Sequence, residues 1–464
     1  MKLKSLKLTN FRNYSDFEID FDKKLNVIVA QNGVGKTTLL DAIAIGFGSM
    51  LTRMPKIKGK NFEEKDLRFY TKEPNKKAPY MRIELDIYEN ISWDRTYSRD
   101  KSAQTKAQIP KGKQLKELDA YIDTFIDKYN DSIEEFELPL VMYYGTSRAV
   151  LRSPLRKTNF QKNFSRFEAL SGALNADSDF HRLFQWFDAM EDLERRKIQK
   201  YRDFDYVLPE LEAVRKAITS MLEEFSNPHI KTRPLRFLIE KTIDGVKILY
   251  RIDQLSDGYK TVIAMIMDIA ARMAEANPHM ENPLKSNAIV MIDEVDLHLH
   301  PRWQQKILID LQKTFPNAQF VVTTHSPQVL TTVKAEHIQA IVLEDEMPMI
   351  KKFNFSYGAK SHELLNEILG VDERPQNIQI VQKLNEYLKL VDENKYDSKE
   401  AIRLRESLDS LFTASGDMEY AINEIVSSQL SKDSKGNHPK FFSTIRSYFK
   451  DDAENYLRSV AYEG

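Results

Sequence analysis

The stretch Ala30-Gln-Asn-Gly-Val-Gly-Lys-Thr37 stands between a short apolar segment, Leu25–Val29, and an apolar-periodic segment that runs from Lys36 to about Phe47. The apolar segment is typical of a buried strand, and the periodicity after the glycines is typical of a helix. A strand that ends in a glycine-bearing loop and opens a helix is the context of a phosphate-binding P-loop. The stretch therefore predicts an α/β fold of the P-loop NTPase type.

The residue types in this loop suit the phosphates of ATP. Gly33 and Gly35 let backbone N–H groups close around phosphate oxygens, and the helix N-terminus adds a favourable dipole. Lys36 can reach the β- and γ-phosphates, and the Thr37 hydroxyl can bind Mg²⁺. The first glycine of the usual pattern is Ala30 here, and the alternative interpretation is a chance glycine turn. The predicted nucleotide-binding residues of the loop are Asn32, Gly33, Gly35, Lys36, Thr37 and Thr38.

A second apolar segment, Ala288–Ile292, ends in the two acids Asp293 and Glu294. In this position Asp293 would hold Mg²⁺ through water, and Glu294 would polarise the water that attacks ATP. A strand that ends in two acids also occurs by chance. Its spacing from two further motifs favours the catalytic interpretation.

Those two motifs are Leu255-Ser-Asp-Gly258, before a helix predicted over Tyr259–Ala276, and Thr323-Thr-His-Ser-Pro327, after a further strand. Ser256 would stand at the helix N-terminus, where its hydroxyl, the backbone N–H groups and the dipole favour an anion. The alternative is an ordinary serine cap. His325 is placed to contact the γ-phosphate, and the alternative is a structural histidine. The predicted nucleotide-binding residues of the first motif are Ser256, Asp257 and Gly258.

Together the four motifs resemble those of the ABC ATPase superfamily. In ABC heads the signature motif, here Ser256 and its neighbours, contacts the γ-phosphate held by the other protomer. The resemblance therefore implies composite ATPase sites across a head-to-head homodimer, with Glu294 and His325 as catalytic residues and Thr37 and Asp293 as Mg²⁺ ligands. It implies a two-lobed α/β head.

Three stretches indicate a branch of that superfamily. Leu8-Thr-Asn-Phe-Arg-Asn-Tyr14 resembles the opening of RecF-like and SMC-like heads, in which the arginine, here Arg12, lies near the nucleotide. Asp293-Glu-Val-Asp-Leu-His-Leu-His-Pro301 and Thr323-Thr-His-Ser-Pro-Gln-Val-Leu330 look like the RecF/OLD-type branch. We call 295–300 the D-loop, and its Asp296 is a predicted nucleotide-binding residue.

The tail is similar to that of ATPase subunits in Septu-type antiphage systems, including those attached to some retrons. The similarity rests on Ser356-Tyr-Gly358 and Leu369-Gly-Val-Asp-Glu-Arg-Pro375 and on overall size. It implies an ATP-driven sensor or scaffold that assembles beyond the dimer and controls a separate nuclease of the HNH type. The tail itself has no strand-based acidic cluster and no His-Asn-His pattern, which places nuclease chemistry in a partner.

Two departures from the ABC pattern stand out. A glutamine at the Q-loop position is missing, and Tyr143-Tyr-Gly-Thr-Ser-Arg148 occupies the equivalent place, so we assign Arg148 to it. The signature continues Ser256-Asp-Gly-Tyr259 rather than with the Ser-Gly-Gly-Gln of transporter heads. This signature and the large insertion argue against a transporter.

The order of the motifs predicts four regions. They are an N-terminal lobe with the P-loop (1–150), a helical insertion (151–232), a lobe with the other three motifs (233–345) and an all-helical C-terminal partner-binding region (346–464). The insertion is predicted as two antiparallel helices that emerge from the head, Asp179–Tyr201 and Pro209–Phe225, the second stopped by Asn227-Pro228.

Composition excludes several classes of protein. The 464 residues carry a net charge of -1 and no cysteine, which excludes disulfides, thiolate zinc sites and cysteine nucleophiles. The longest apolar runs, such as Val262–Met267, are far too short to span a bilayer, and the alternating N-terminus does not match a signal peptide. We therefore expect a cytoplasmic protein with no membrane partner.

Other signals leave alternatives open. The stretch Arg148–Arg166 has six basic and two aromatic residues and no acid, which suits DNA or RNA, but a solvated basic surface gives the same pattern. His298 and His300 lie on one side of an extended segment and could bind a metal. The alternative is that they are ordinary residues of the D-loop, where such pairs are common in this branch. The alternatives to a defence ATPase are a DNA-repair ATPase that acts directly on DNA and a scaffold that hydrolyses ATP slowly.

Overall fold

The computed structural model describes residues 1–412, apart from residues 32, 71–72, 114, 132, 134, 150–163, 177–179, 345–346, 373, 394 and 396–397. The chain divides into two compact units, Met1–Val371 and Asp372–Gly464. The first unit contains all four sequence motifs.

The strands follow in chain order. They are β1 (Leu3–Phe11), β2 (Tyr14–Asp20), β3 (Leu25–Ala30), β4 (Phe69–Tyr70), β5 (Glu73–Lys77), β6 (Tyr80–Ile87), β7 (Ser92–Ser98), β8 (Leu140–Tyr144), β9 (Phe225–Thr232), β10 (Leu235–Ile243), β11 (Val246–Arg251), β12 (Ala288–Ile292), β13 (Ala318–Thr323), β14 (Ile338–Glu344) and β15 (Met347–Lys351).

The α-helices follow in the same way. They are α1 (Lys36–Leu51), α2 (Ala103–Ala107), α3 (Lys116–Asn130), α4 (Phe180–Tyr201), α5 (Pro209–Met221), α6 (Asp257–Ala276), α7 (Pro301–Gln304), α8 (Ile307–Thr314), α9 (Pro327–Leu330), α10 (Ser361–Glu367), α11 (Gln379–Asp392) and α12 (Lys399–Phe412).

A six-stranded sheet in the order β15-β14-β3-β13-β12-β8 forms the centre of the first unit. All its strands run parallel except β15, which pairs antiparallel with β14. The residues of β3, β8, β12 and β13 are buried throughout, as expected for parallel strands covered on both faces. Because parallel strands end at one edge, the segments after β3, β12 and β13 meet there. This confirms the predicted α/β architecture.

Two antiparallel sheets flank this centre. The first has the order β2-β1-β6-β7, and the second has the order β11-β10-β9 and leads directly into α6. β6 pairs antiparallel with β7, and its alternate side chains Met81, Ile83, Leu85 and Ile87 are buried because successive residues of a strand point to opposite faces.

The segment predicted as a helical insertion differs from the structure. α5 ends at Met221, not at Phe225, and β9 follows, so Asn227-Pro228 lies within a strand that pairs with β10. The two helices do not emerge from the head, because the apolar face of α4, including Trp186 and Phe187, belongs to the main hydrophobic core. The pairing of β9 with β10 overrides a helix signal that local sequence alone carried.

The C-terminal region also differs from the prediction in its boundary and in its secondary structure. The predicted boundary at residue 345 falls between β14 and β15, which form a hairpin, so the region 346–464 is not all helical. α10 packs against α9 within the first unit, and the division comes after Val371. In the second unit α11 and α12 pack together around Leu384, Tyr387, Ala401 and Leu408. The part of the predicted helical region beyond residue 412 lies outside the described residues.

Within the described part of the chain, none of the helices has the length and apolar character that crossing a membrane requires.

Candidate nucleotide-binding site

The P-loop is held by the turn between β1 and β2. Gly33 and Gly35 have φ angles of 83° and 118°, a left-handed region that favours glycine. Tyr14 donates its hydroxyl hydrogen to the Gly35 carbonyl at 3.1 Å, and the Asn13 side-chain amide donates to the Gly33 carbonyl at 3.0 Å. A Cβ on Gly35 would lie 3.0 Å from the Tyr14 ring. Asn13 and Tyr14 therefore shape the loop.

Sequence reasoning missed these two supporting residues. Both belong to the Leu8–Tyr14 stretch that signalled the branch, but only Arg12 was singled out there. Their side chains act on backbone atoms twenty or more positions away, and no local pattern reports such contacts.

Lys36 lies at the base of the loop with 7% of its surface exposed. Its ammonium donates to the carbonyl of Ala30 at 2.8 Å and to that of Gln31 at 3.4 Å. Burial lowers the pKa of Lys36 from its usual value, while the nearby Asp293 and Glu294 carboxylates oppose that shift. A buried cation that donates its hydrogen bonds to backbone carbonyls suits a phosphate group.

Thr37 and Asp293 join the P-loop to the end of β12. The Thr37 hydroxyl donates to Asp293 Oδ2 at 2.7 Å across 256 positions of sequence. Asp293 is 1% exposed, and its other oxygen accepts a hydrogen bond from the Thr323 hydroxyl at 2.6 Å. One hydroxyl and one carboxylate are the hard oxygen donors that Mg²⁺ takes from a protein when phosphates supply the rest. The described residues contain no group of three or more His, Cys, Asp or Glu that could bind a metal alone.

Glu294, the acid after Asp293, has an unusual backbone conformation. Glu294 has a φ of 48°, and its backbone N–H donates to the Thr323 hydroxyl at 2.7 Å. Asp296 in the D-loop accepts a hydrogen bond from the Thr324 hydroxyl at 2.5 Å. The segments after β12 and β13 are therefore linked to each other by side-chain hydrogen bonds.

His325 follows Thr324 and lies within electrostatic reach of the same cluster. Burial lowers the pKa of its imidazole, and the Lys36 ammonium lowers it further, while Asp296, Glu294 and Asp293 oppose the shift. The structure thus gathers Lys36, Thr37, Asp293, Glu294 and His325 at one edge of the sheet. Thr38, also predicted here, is buried in the first turn of α1.

Arg12 is engaged by carboxylates. Its guanidinium pairs with Asp41 on α1 at 2.7 Å and with Asp66 at 2.8 Å, and Lys60 also binds Asp41 at 2.6 Å. The arginine therefore lies beside the P-loop helix and supports it. A direct contact with the nucleotide stays a prediction.

The signature residues lie at the start of α6. Ser256 is exposed at the N-cap position directly before α6, and its side chain makes no capping hydrogen bond. Asp257 is exposed and pairs with Lys260 at 3.0 Å. A Cβ on Gly258 would lie 2.5 Å from the carbonyl oxygen of His298, so the start of α6 abuts the D-loop.

The remaining predicted residues lie in other segments of the chain or outside the described residues. Asn32 and residues 150–163 of the basic stretch lie outside the described residues, and Arg148 falls in a 3-10 turn after β8. Arg166, at the end of that stretch, is not a solvated cation, because it donates to the Ala276 carbonyl at 2.7 Å and its guanidinium lies 3.9 Å from the Phe136 ring centroid. His300 accepts a hydrogen bond from the Arg302 backbone and thereby caps α7.

Known proteins resemble this chain over most of its length. The AAA domain family matches residues 5–226. The Retron Ec83 probable ATPase of Escherichia coli is 29% identical over 473 residues, covering 89% of this chain and 84% of that protein. The Septu protein PtuA of Bacillus thuringiensis is 23% identical, covering 84% of this chain and 89% of that protein. The AAA family match and these two relatives support ATPase activity for this chain.

Among solved structures, this ATPase is similar to the Smc head bound to the C-winged helix domain of ScpA. The TM-score is 0.45 and the identity 15%, over 76% of this chain and 99% of that chain. The family match at residues 5–226 includes the P-loop of this ATPase but ends before Ser256, Asp293 and His325.

Proposed function

We propose that this ATPase hydrolyses ATP at composite sites, in which the P-loop cluster of one copy meets the start of α6 of a second copy. The main support for this proposal is the position of the Ser256 hydroxyl. Its hydroxyl stands at a helix N-terminus, exposed and without a capping hydrogen bond, although serine at this position usually makes one. A phosphate brought by another copy would use that hydroxyl, the backbone N–H groups and the helix dipole together.

Each residue of the cluster has a role in the proposed reaction. Lys36 neutralises charge on the β- and γ-phosphates, and Thr37 and Asp293 hold Mg²⁺. Glu294 accepts a proton from the attacking water. His325 contacts the γ-phosphate, and Asp296 in the D-loop faces the second copy.

Mixing two inactive variants tests whether Ser256 acts on the other copy. Lys36→Ala removes the P-loop cation, and Ser256→Arg blocks the start of α6. A mixed dimer contains one site with both defects and one with neither. Each mixed dimer should therefore recover up to half of the ATP hydrolysis of a wild-type dimer. Subunit exchange is checked with differently tagged copies. Exchange without any recovered hydrolysis would count against the composite site.

We further propose that the chain is the ATPase subunit of an antiphage defence complex. The support is the length over which the retron ATPase and the Septu protein align with it, at 89% and 84% of this chain. In this proposal the ATPase is cytoplasmic, forms a higher homo-oligomer and controls a separate nuclease of the HNH type. Glu294→Gln should then abolish protection of a bacterial culture against phage while the complex still assembles.

The C-terminal region is proposed as the docking platform for the nuclease. Apolar stripes on α11 and α12 partly pack on each other, and Ile378 and Ile402 stay 46% and 47% exposed. Removing residues after Ser431 should leave ATP binding intact and abolish co-purification of the neighbouring nuclease. Full recovery of the nuclease with the truncated chain would show that the residues after Ser431 are not needed for docking.

Contact with DNA or RNA is proposed for the basic stretch up to Lys162. Replacing Arg152, Arg156 and Lys157 with Glu should weaken binding and flatten its salt dependence, because phosphate contacts release counterions. Binding that stays unchanged across a salt series would favour the solvated-surface interpretation.

A further inference from the structure

Thr323 is fully buried at the end of β13 and is hydrogen-bonded to three consecutive residues. Its hydroxyl donates to Asp293 Oδ1 at 2.6 Å and accepts from the Glu294 backbone N–H at 2.7 Å. Its carbonyl accepts from the Val295 N–H at 2.9 Å. One side chain and one carbonyl thus hold the whole turn that follows β12.

We infer that Thr323 is a positioning residue for both acids of the ATPase site. The inference rests on the proposed roles of Asp293 in holding Mg²⁺ and of Glu294 as the base. By binding Oδ1, the hydroxyl fixes the rotation of the Asp293 carboxylate, so that Oδ2 faces Thr37. By accepting from the Glu294 N–H, the same hydroxyl stabilises a backbone conformation that non-glycine residues seldom adopt.

The chemistry of a hydroxyl explains why threonine suits this position. A hydroxyl donates one hydrogen bond and accepts others, so a single atom can serve a carboxylate and an N–H group at once. Valine has the same shape and serves neither. Serine keeps the hydroxyl and loses only a methyl group.

Thr323→Val tests the inference, with Thr323→Ser as the conservative variant. Thr314→Val is a matched control, since Thr314 is also buried, and its hydroxyl shares a 2.9 Å hydrogen bond with Ser220 on α5. Losing a hydrogen bond to a charged group should lower kcat of Thr323→Val about 10- to 100-fold. The Kd for a fluorescent ATP analogue without Mg²⁺ should change less than about twofold, because Lys36 and the loop bind the phosphates.

Two further readouts separate positioning from a merely structural role. The Mg²⁺ concentration that gives half-maximal hydrolysis should rise in Thr323→Val and return to the wild-type value in Thr323→Ser. Thr314→Val should show wild-type kcat and Mg²⁺ dependence even with a lowered melting temperature. Thr323→Ala carries the same expectation as Thr323→Val and replaces it where the valine variant does not fold.

The outcomes distinguish this inference from the proposed function. If Lys36→Ala and Glu294→Gln hydrolysed ATP as fast as the wild-type protein, the proposed site itself would be wrong. Hydrolysis that depends on them but is unchanged in Thr323→Val would overturn the positioning role alone. Equal losses in Thr323→Val and Thr323→Ser, without a shift in Mg²⁺ dependence, would also overturn it.

Discussion

Replacing Gly258 with alanine should separate the start of α6 from the D-loop. A Cβ at this position would lie 2.5 Å from the His298 carbonyl oxygen, and real Cβ atoms essentially never come within 3.0 Å of such a neighbour. The obstacle is backbone and not the end of a flexible side chain. His298 itself has a φ of 64°, so its own conformation is already restricted.

The size of the effect follows from that overlap. The two segments would have to move apart by about 0.5 Å or more, and overpacking of this kind costs about 1–3 kcal/mol. The displacement would shift Ser256 at the start of α6, and Asp296, whose carboxylate is held by Thr324. We therefore expect a lower melting temperature together with a loss of ATP hydrolysis, while ATP binding at the P-loop of each copy is kept.

Thermal melting, turnover and binding of a fluorescent ATP analogue measure the three expectations. Ser256→Ala is the matched control, because it removes a hydroxyl that makes no capping hydrogen bond and adds no volume. That variant should melt like the wild-type protein and still hydrolyse ATP more slowly. A Gly258→Ala protein with wild-type melting temperature and turnover would refute the close packing of α6 against the D-loop.

Other changes have similarly direct readouts. Lys36→Ala should abolish ATP binding in a fluorescence titration, since the phosphates lose their principal cation; binding within threefold of wild type would contradict that role. Glu294→Gln should keep binding and nearly stop turnover, because an amide cannot accept the proton, and should trap a nucleotide-bound dimer visible by light scattering. His325 in the nucleotide-free protein should titrate below about pH 6.5 by NMR, since burial and Lys36 lower its pKa. The folded protein then binds fewer protons than the unfolded chain near that pH, so acidification should weaken this group's contribution to stability, and a midpoint above 6.5 would argue against it. Thr324→Val should release Asp296 and weaken the dimer trapped by Glu294→Gln, whereas an unchanged dimer would argue against a role for Asp296 at the interface.

Much of the head could be predicted because its signals are local. Apolar segments predicted β3, β12 and β13, and the structure places all three as buried neighbours in one sheet. The acids after β12 and the histidine after β13 then had to lie at the same edge as the P-loop, because those strands are parallel. Fold and cluster followed from the order of short motifs.

The errors have a physical cause as well. The residues around Phe225 continue a helical pattern, yet they form β9 because pairing with β10 and burial of Phe225 outweigh local preference. Likewise Met347–Lys351 lacks a strong strand signal of its own and becomes a strand by pairing with β14. Strand partners of this kind are decided by the whole fold.

The sequence by itself contains the residue types on which the proposed chemistry depends: a glycine loop with a lysine for phosphate, acids that suit Mg²⁺ and water, and a histidine and a serine for a γ-phosphate. These assignments depend on residue types within a few positions of one another. Only the tertiary structure decided how those groups are held, with Tyr14 on Gly35, Thr37 on Asp293 and Thr323 across the turn after β12. Such contacts join residues from 21 to 256 positions apart, and they form only when packing of the core brings separate strands to one edge.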